Sequence, residues 1–117
     1  MNADDFKKRT KRFALQIIRI VESLPKTATG YTIGGQLLKC GTSVGSNYRS
    51  SCRARSRRDF ISKMGIVEEE SDECLYWMEL LLESGLVKAE ILADVMAEAE
   101  EILSMVVSSI RTARLRG

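Results

Sequence analysis

Carboxylates, thiols and a dense set of guanidinium and ammonium groups are the side chains of this 117-residue chain that could do chemistry. Glu68-Glu69-Glu70-Ser71-Asp72-Glu73 places acids one helical turn apart, the spacing at which Glu69 and Glu73 could share a magnesium ion. Nothing nearby supplies the phosphate ligands that usually complete such a site, and a solvated or intersubunit salt-bridging face is the simpler reading. Inward-facing carboxylate bundles that hold two metals also need a Glu-x-x-His pair, and the chain has no histidine. The same absence removes the commonest general base and the Ser-His and Cys-His nucleophile pairs. No phosphate-binding loop, nucleophile elbow or dinucleotide fingerprint occurs, and Gly34-Gly35 follows no strand. We therefore expect a protein that is not an enzyme, with no catalytic residues, no metal and no cofactor.

The three cysteines, Cys40, Cys52 and Cys74, lack metal-site or CxxC spacing. Cys40 and Cys52 would stand about 18 Å apart on one continuous helix, too far for a disulfide. Buried, reduced thiols acting as small hydrophobes are the expectation.

The cations are more informative, and their meaning depends on the elements that carry them. Phe6, Phe13, Ile17, Ile20 and Leu24 recur at helical spacing, so a first helix is expected from Asp4 or Asp5, either of which can cap it, to Leu24, with Pro25 as its stop. A polar connection over Lys26 to Thr32 should lead to a second helix from Ile33 to Ala54, buried along Ile33, Leu37, Cys40, Val44 and Tyr48. Gly41-xxx-Gly45 would leave a flat strip for a second backbone; the alternative is a helix broken near Gly34-Gly35. Ser56 and Asp59 form a start signal for a third helix from Arg57 to Ser84, with Gly85 as a left-handed cap. The fourth should span Lys88 to Arg114. Four long helices with short connections predict a single all-α domain over 1–117, an antiparallel up-down-up-down four-helix bundle. Ile18, Val21, Leu80, Ile91, Leu103 and Val107 widen the apolar arcs beyond one seam, so self-association is expected. No apolar run is long enough to span a membrane and the start lacks a signal-peptide layout, which together suggest a cytoplasmic protein without membrane contact.

That topology turns scattered charges into one end. Lys7, Lys8, Arg9, Lys11 and Arg12 begin the first helix. Arg49, Arg53 and Arg55 close the second, Arg57, Arg58 and Lys63 open the third, and Arg111, Arg114 and Arg116 finish the fourth. This is 14 of the 18 basic residues beside only Asp4, Asp5 and Asp59, so a net charge of +2 hides +11 at one end and −9 elsewhere. Such a surface concentrates polyanions, and arginine's planar fork suits phosphate. The candidate nucleic-acid contacts are Lys8, Arg9, Lys11, Arg12, Arg49, Arg53, Arg55, Arg57, Arg58, Arg111 and Arg114. The competing readings are a solvated face, pairing with acids of a neighbouring subunit, or a scaffold that docks an acidic protein partner from a nucleic-acid-processing complex.

Gln36-Leu37-Leu38-Lys39-Cys40-Gly41-Thr42-Ser43-Val44-Gly45-Ser46-Asn47 resembles the Q-L-x-R-S-x-x-S-V-x-x-N signature of a bacterial four-helix bundle family, and Arg55-Ser56-Arg57-Arg58-Asp59-Phe60-Ile61 resembles its R-S-x-x-D/E-F-I/L continuation. These are the proteins encoded by intervening sequences in 23S ribosomal RNA genes, similar in turn to the accessory variability determinant of diversity-generating retroelements. The resemblance spans nearly the whole chain. It implies a ring-like homopentamer without established enzymatic activity. For the retroelement relatives it also implies a basic surface associated with nucleic acid and a reverse-transcriptase partner. Ser43 and Asn47 match the family's polar positions, where hydrogen bonding within the bundle is implied. Many members carry Glu-Gly shortly after the asparagine, whereas this chain has Ser50 and Ser51, so no role of that acid transfers. Arg49 and Arg53 are thereby left without a nearby acidic partner in sequence.

Overall fold

The computed structural model describes residues 2–116. Four α-helices follow one another, α1 (Ala3–Glu22), α2 (Ala28–Ser51), α3 (Arg57–Glu83) and α4 (Ala89–Leu115), and no strand occurs among the described residues. A 27-residue helix is about 40 Å long at 1.5 Å per residue. The molecule measures 47 × 20 × 20 Å, so all four helices run lengthwise. Close packing joins α1 to α2, α2 to α3, α3 to α4 and, along a sparser seam, α4 back to α1, while the diagonal pairs stay apart. The helices therefore go round a square in chain order, up, down, up and down.

Three starts are capped by side chains. Asn2, rather than Asp4 or Asp5, begins α1, its Oδ1 accepting the Asp5 N–H at 2.9 Å. The two aspartates lie instead in the first turn, where their charge faces the positive end of the helix dipole. Ser56 caps α3 through the Asp59 N–H, and Asp59 reaches back to the Arg55 N–H at 3.1 Å. The expected polar connection before α2 is shorter than composition suggests. Thr27 accepts the Gly30 N–H and starts the helix at Ala28, five residues before Ile33. Gly30 looks like a loop residue, but a Cβ there would fall 2.0 Å from the Pro25 carbonyl oxygen. Its missing side chain is what lets the connection turn so tightly. α2 is continuous through Gly34-Gly35 and ends at Ser51, earlier than the expected Ala54. Gly85, at φ 77°, closes α3 in the left-handed region.

The core contains every residue of the expected seams of α1 and α2, then Met64, Val67, Cys74, Leu75, Met78 and Leu81 from α3, and Leu92, Val95, Ala99, Ile102, Val106 and Ile110 from α4. Phe60 and Leu82 sit half-buried at its margin. Ser71 is also enclosed, its hydroxyl donating to the Val67 carbonyl, and Thr10 donates likewise to Phe6. Gly41 and Gly45 form the strip on which α1 lies: Ile17 covers the first and Thr10 the second. Cys40 and Cys74, from α2 and α3, face each other in the core with sulfurs 3.2 Å apart. The Cys74 thiol donates to Cys40, which donates to the Leu37 carbonyl, and this bond together with burial pushes the Cys74 thiol up from its ordinary value. Cys52 departs from the expectation of three buried thiols: it caps α2 at the basic end and is exposed.

Candidate nucleic-acid interface

The first turns of α1 and α3 meet the last turns of α2 and α4 at one end of the bundle. A shallow depression there is lined by Ala3 from α1, Tyr48 and Ser51 from α2, Phe60 from α3, and Ala113 from α4. Phe6 and Tyr48 close the core beneath it, ring edge to ring face with centroids 4.6 Å apart. Burial is the main cause that raises the Tyr48 phenol above its ordinary value.

The cations gathered at this end divide into separate groups. Lys7, Lys8 and Lys11 from α1 face Arg49 from α2 and Arg53 from the connection after it across a groove of about 360 Å³. Its floor is made of Thr10, Ala14, Thr42, Gly45 and Ser46, and among the described residues no carboxylate lines it. The groove exists because small residues on α2 let α1 come close: a Cβ on Gly45 would stand 3.2 Å from the Thr10 hydroxyl. Long basic side chains on both flanks then rise above a floor of small residues and hydroxyls. On the other flank, Arg57, Arg58 and Arg114 surround Ile61 in a second depression. Arg111 joins Arg114 in an adjoining one that also contains Glu68.

Two of the end's cations are taken by acids. Arg9 turns toward α4, where its guanidinium donates to both oxygens of Glu98, at 2.7 and 2.8 Å, and to Glu101 at 2.6 Å. The hydrogen bond to Glu98 is the largest cause raising the guanidinium above its ordinary value. Arg9 is thus a clamp on the sparse α1/α4 seam and leaves the set of free cations, because the helix register brings α4's acids within its reach. Lys63 lies 3.6 Å from Asp59. Among the described residues, Lys8, Lys11, Arg12, Arg49, Arg53, Arg55, Arg57, Arg58, Arg111 and Arg114 have no carboxylate within ion-pair distance. Arg12 and Arg55 are exposed but line neither flank's depression. Lys7 and the hydroxyl floor are additions to the expected contact set, signalled in the sequence only by the glycine spacing on α2.

Elsewhere the acids spread out. Among the described residues no three acidic or thiol groups are placed to hold a metal ion. Glu73 accepts the Trp77 indole N–H at 3.2 Å, and Glu70 is raised above its ordinary value by burial and by Glu73. Ser43 and Asn47 bond back along α2, to the carbonyls of Lys39 and Ser43. No helix among the described residues is long and apolar enough to cross a membrane.

An up-down-up-down bundle whose cations flank one end defines the structural class. The chain belongs to the 23S rRNA-intervening sequence protein family, whose pattern matches residues 4–108. Its fold is similar to the crystal structure of a protein of unknown function from the S23 ribosomal protein family of Bacteroides thetaiotaomicron VPI-5482. That similarity has a TM-score of 0.87 and 31% identity, and it covers 95% of this chain and 99% of the other. No curated protein matches the chain.

Proposed function

We propose that the protein is a non-enzymatic, self-associating bundle that binds the phosphate backbone of RNA or DNA through its basic end. The observation carrying this reading is the α1/α2 groove, where five cations stand over a floor of small and hydroxyl residues and, among the described residues, no carboxylate lines it. Phosphate oxygens are acceptors only, so ammonium and guanidinium donors suit them, and counterion release provides the driving force. Contacts of this kind position a backbone without reading bases. The family's name refers to intervening sequences of 23S rRNA, which makes a structured RNA the first probe. Self-association is supported by apolar side chains away from the basic end, among them Ile18 at 36% and Ile91 and Tyr76 each at 53% exposure.

The test is a salt titration of binding to a labelled RNA hairpin and a DNA duplex. If all five groove cations each neutralise a phosphate, affinity for duplex DNA should fall about 500-fold between about 50 and 200 mM salt, from a slope of roughly −0.9 per contact. Replacing Lys11, Arg49 and Arg53 by Ala should weaken binding to unrelated sequences alike. Absence of binding to either probe at low salt refutes the proposal, and light scattering at the 13.1 kDa protomer mass refutes self-association.

A further inference from the structure

Building on that reading, we propose that each protomer holds two phosphodiester backbones at once, one on the α1/α2 flank and one on the α3/α4 flank. Helices that go round a square in chain order put these two grooves on opposite sides of a bundle about 20 Å across. The cations divide the same way: Lys7, Lys8, Lys11, Arg49 and Arg53 line one flank, and Arg57, Arg58, Arg111 and Arg114 the other, with no residue in common.

Each cluster also runs lengthwise rather than across the end. Lys7 to Ala14 covers about 10 Å of α1 at 1.5 Å per residue, and Arg111 continues from Arg114 down α4 toward Val107. A backbone that follows either row therefore descends its own flank and moves no nearer to the other row. The end surface between them offers a poor bridge. Ala3, Ser51, Cys52, Ala54, Phe60 and Ala113 dominate its lining, with Arg57 and Arg116 as the only cations lining it among the described residues and Arg55 exposed in the connection beside it. Asp4 and Asp5 lie in the first turn of α1 beside it. A short duplex is a stiff rod, since DNA bends appreciably only over about 150 base pairs, so it cannot fold round the bundle to engage both flanks.

The experiment measures stoichiometry with labelled duplexes of about 10 base pairs, one arm RNA and one arm DNA, at about 50 mM salt. Three proteins are compared: the intact chain, a flank variant with Lys7, Lys11, Arg49 and Arg53 changed to Ala, and a flank variant with Arg57, Arg58, Arg111 and Arg114 changed to Ala. Circular dichroism and thermal unfolding check that each variant stays folded. We expect two duplexes per protomer for the intact chain, one for either variant, and none when the sets are combined. Stoichiometry per protomer separates this from one site per subunit in an oligomer. One duplex per protomer, lost with one set and unaffected by the other, overturns the proposal, as does loss of all binding with either set alone. No binding by the intact chain in either arm refutes the preceding functional reading instead.

Discussion

Replacing Gly41 by alanine would place a methyl carbon 2.7 Å from Cγ2, 2.9 Å from Cγ1 and 3.1 Å from Cβ of Ile17. Ordinary contact needs about 3.5–4.0 Å. Ile17 is fully buried and β-branched, so it has neither space nor an easy alternative rotamer. α1 must therefore move outward by several tenths of an ångström, loosening the packing of Phe13 and Leu37 nearby. Overpacking of this kind costs about 1–3 kcal/mol, and alanine's better helix propensity returns about 1 kcal/mol. The difference is a net loss of about 0–2 kcal/mol, and a value towards the upper end is expected because two γ carbons are struck.

Gly35→Ala is the matched control. It lies on the same helix, with no atom within 4 Å of the added carbon, and should be stabilised by about 0.5–1 kcal/mol. Urea unfolding followed by the single tryptophan, Trp77, at one fixed protomer concentration should separate the two variants by about 1 M in midpoint, given slopes of roughly 1–3 kcal/mol per molar urea. Ile17→Ala removes both struck γ carbons, so in that background Gly41→Ala should lose most of its cost, a coupling of about 1 kcal/mol or more. A Gly41→Ala protein as stable as the parent, or a cycle without coupling, would refute the close α1/α2 approach.

Arg9→Ala should destabilise the fold by about 2 kcal/mol, because it strands the half-buried Glu98, whereas Glu101→Ala should cost less than about 1 kcal/mol. It should also leave nucleic-acid affinity nearly unchanged, and equal losses for the two variants would contradict the clamp. In native protein a thiol reagent should label Cys52 alone, with Cys40 and Cys74 reacting only after unfolding; early labelling of Cys74 would contradict its burial. Glu70 is raised above its ordinary 4.5 in the folded chain, so the folded state binds this proton more tightly and stability falls as pH rises from about 4.5 through the folded value. Glu70→Gln should accordingly raise the urea midpoint at pH 8 and lose that advantage towards pH 4.5. A gain that does not vary with pH would refute the assignment.

Much of the bundle was legible because helical periodicity depends on local spacing alone. Phe13-Ile17-Ile20 and Leu92-Val95-Ala99-Ile102 announce their buried faces whatever they pack against. Ser56 with Asp59 marked the α3 start for the same local reason. The start of α2 was not legible: Thr29 and Gly30 look like loop residues, and only the approach of the Pro25 carbonyl explains a glycine inside the first turn. Asn2 could not be distinguished from Asp4 or Asp5 by type, since all three cap well.

Composition and spacing by themselves determined that this chain is helical, that Arg and Lys crowd the helix ends which an up-down bundle joins, and that it lacks the histidine on which most catalytic sites depend. Tertiary structure decided which of those cations are available. Arg9 and Arg49 are indistinguishable as residues, yet register sets Glu98 and Glu101 against the first, whereas basic, small and hydroxyl residues line the groove of the second. It also decided that the basic end is two flanks and that Cys40 meets Cys74 across two helices. Charge and thiol chemistry depend on distances between segments far apart in the chain, and those distances exist only once the core has fixed the helices side by side.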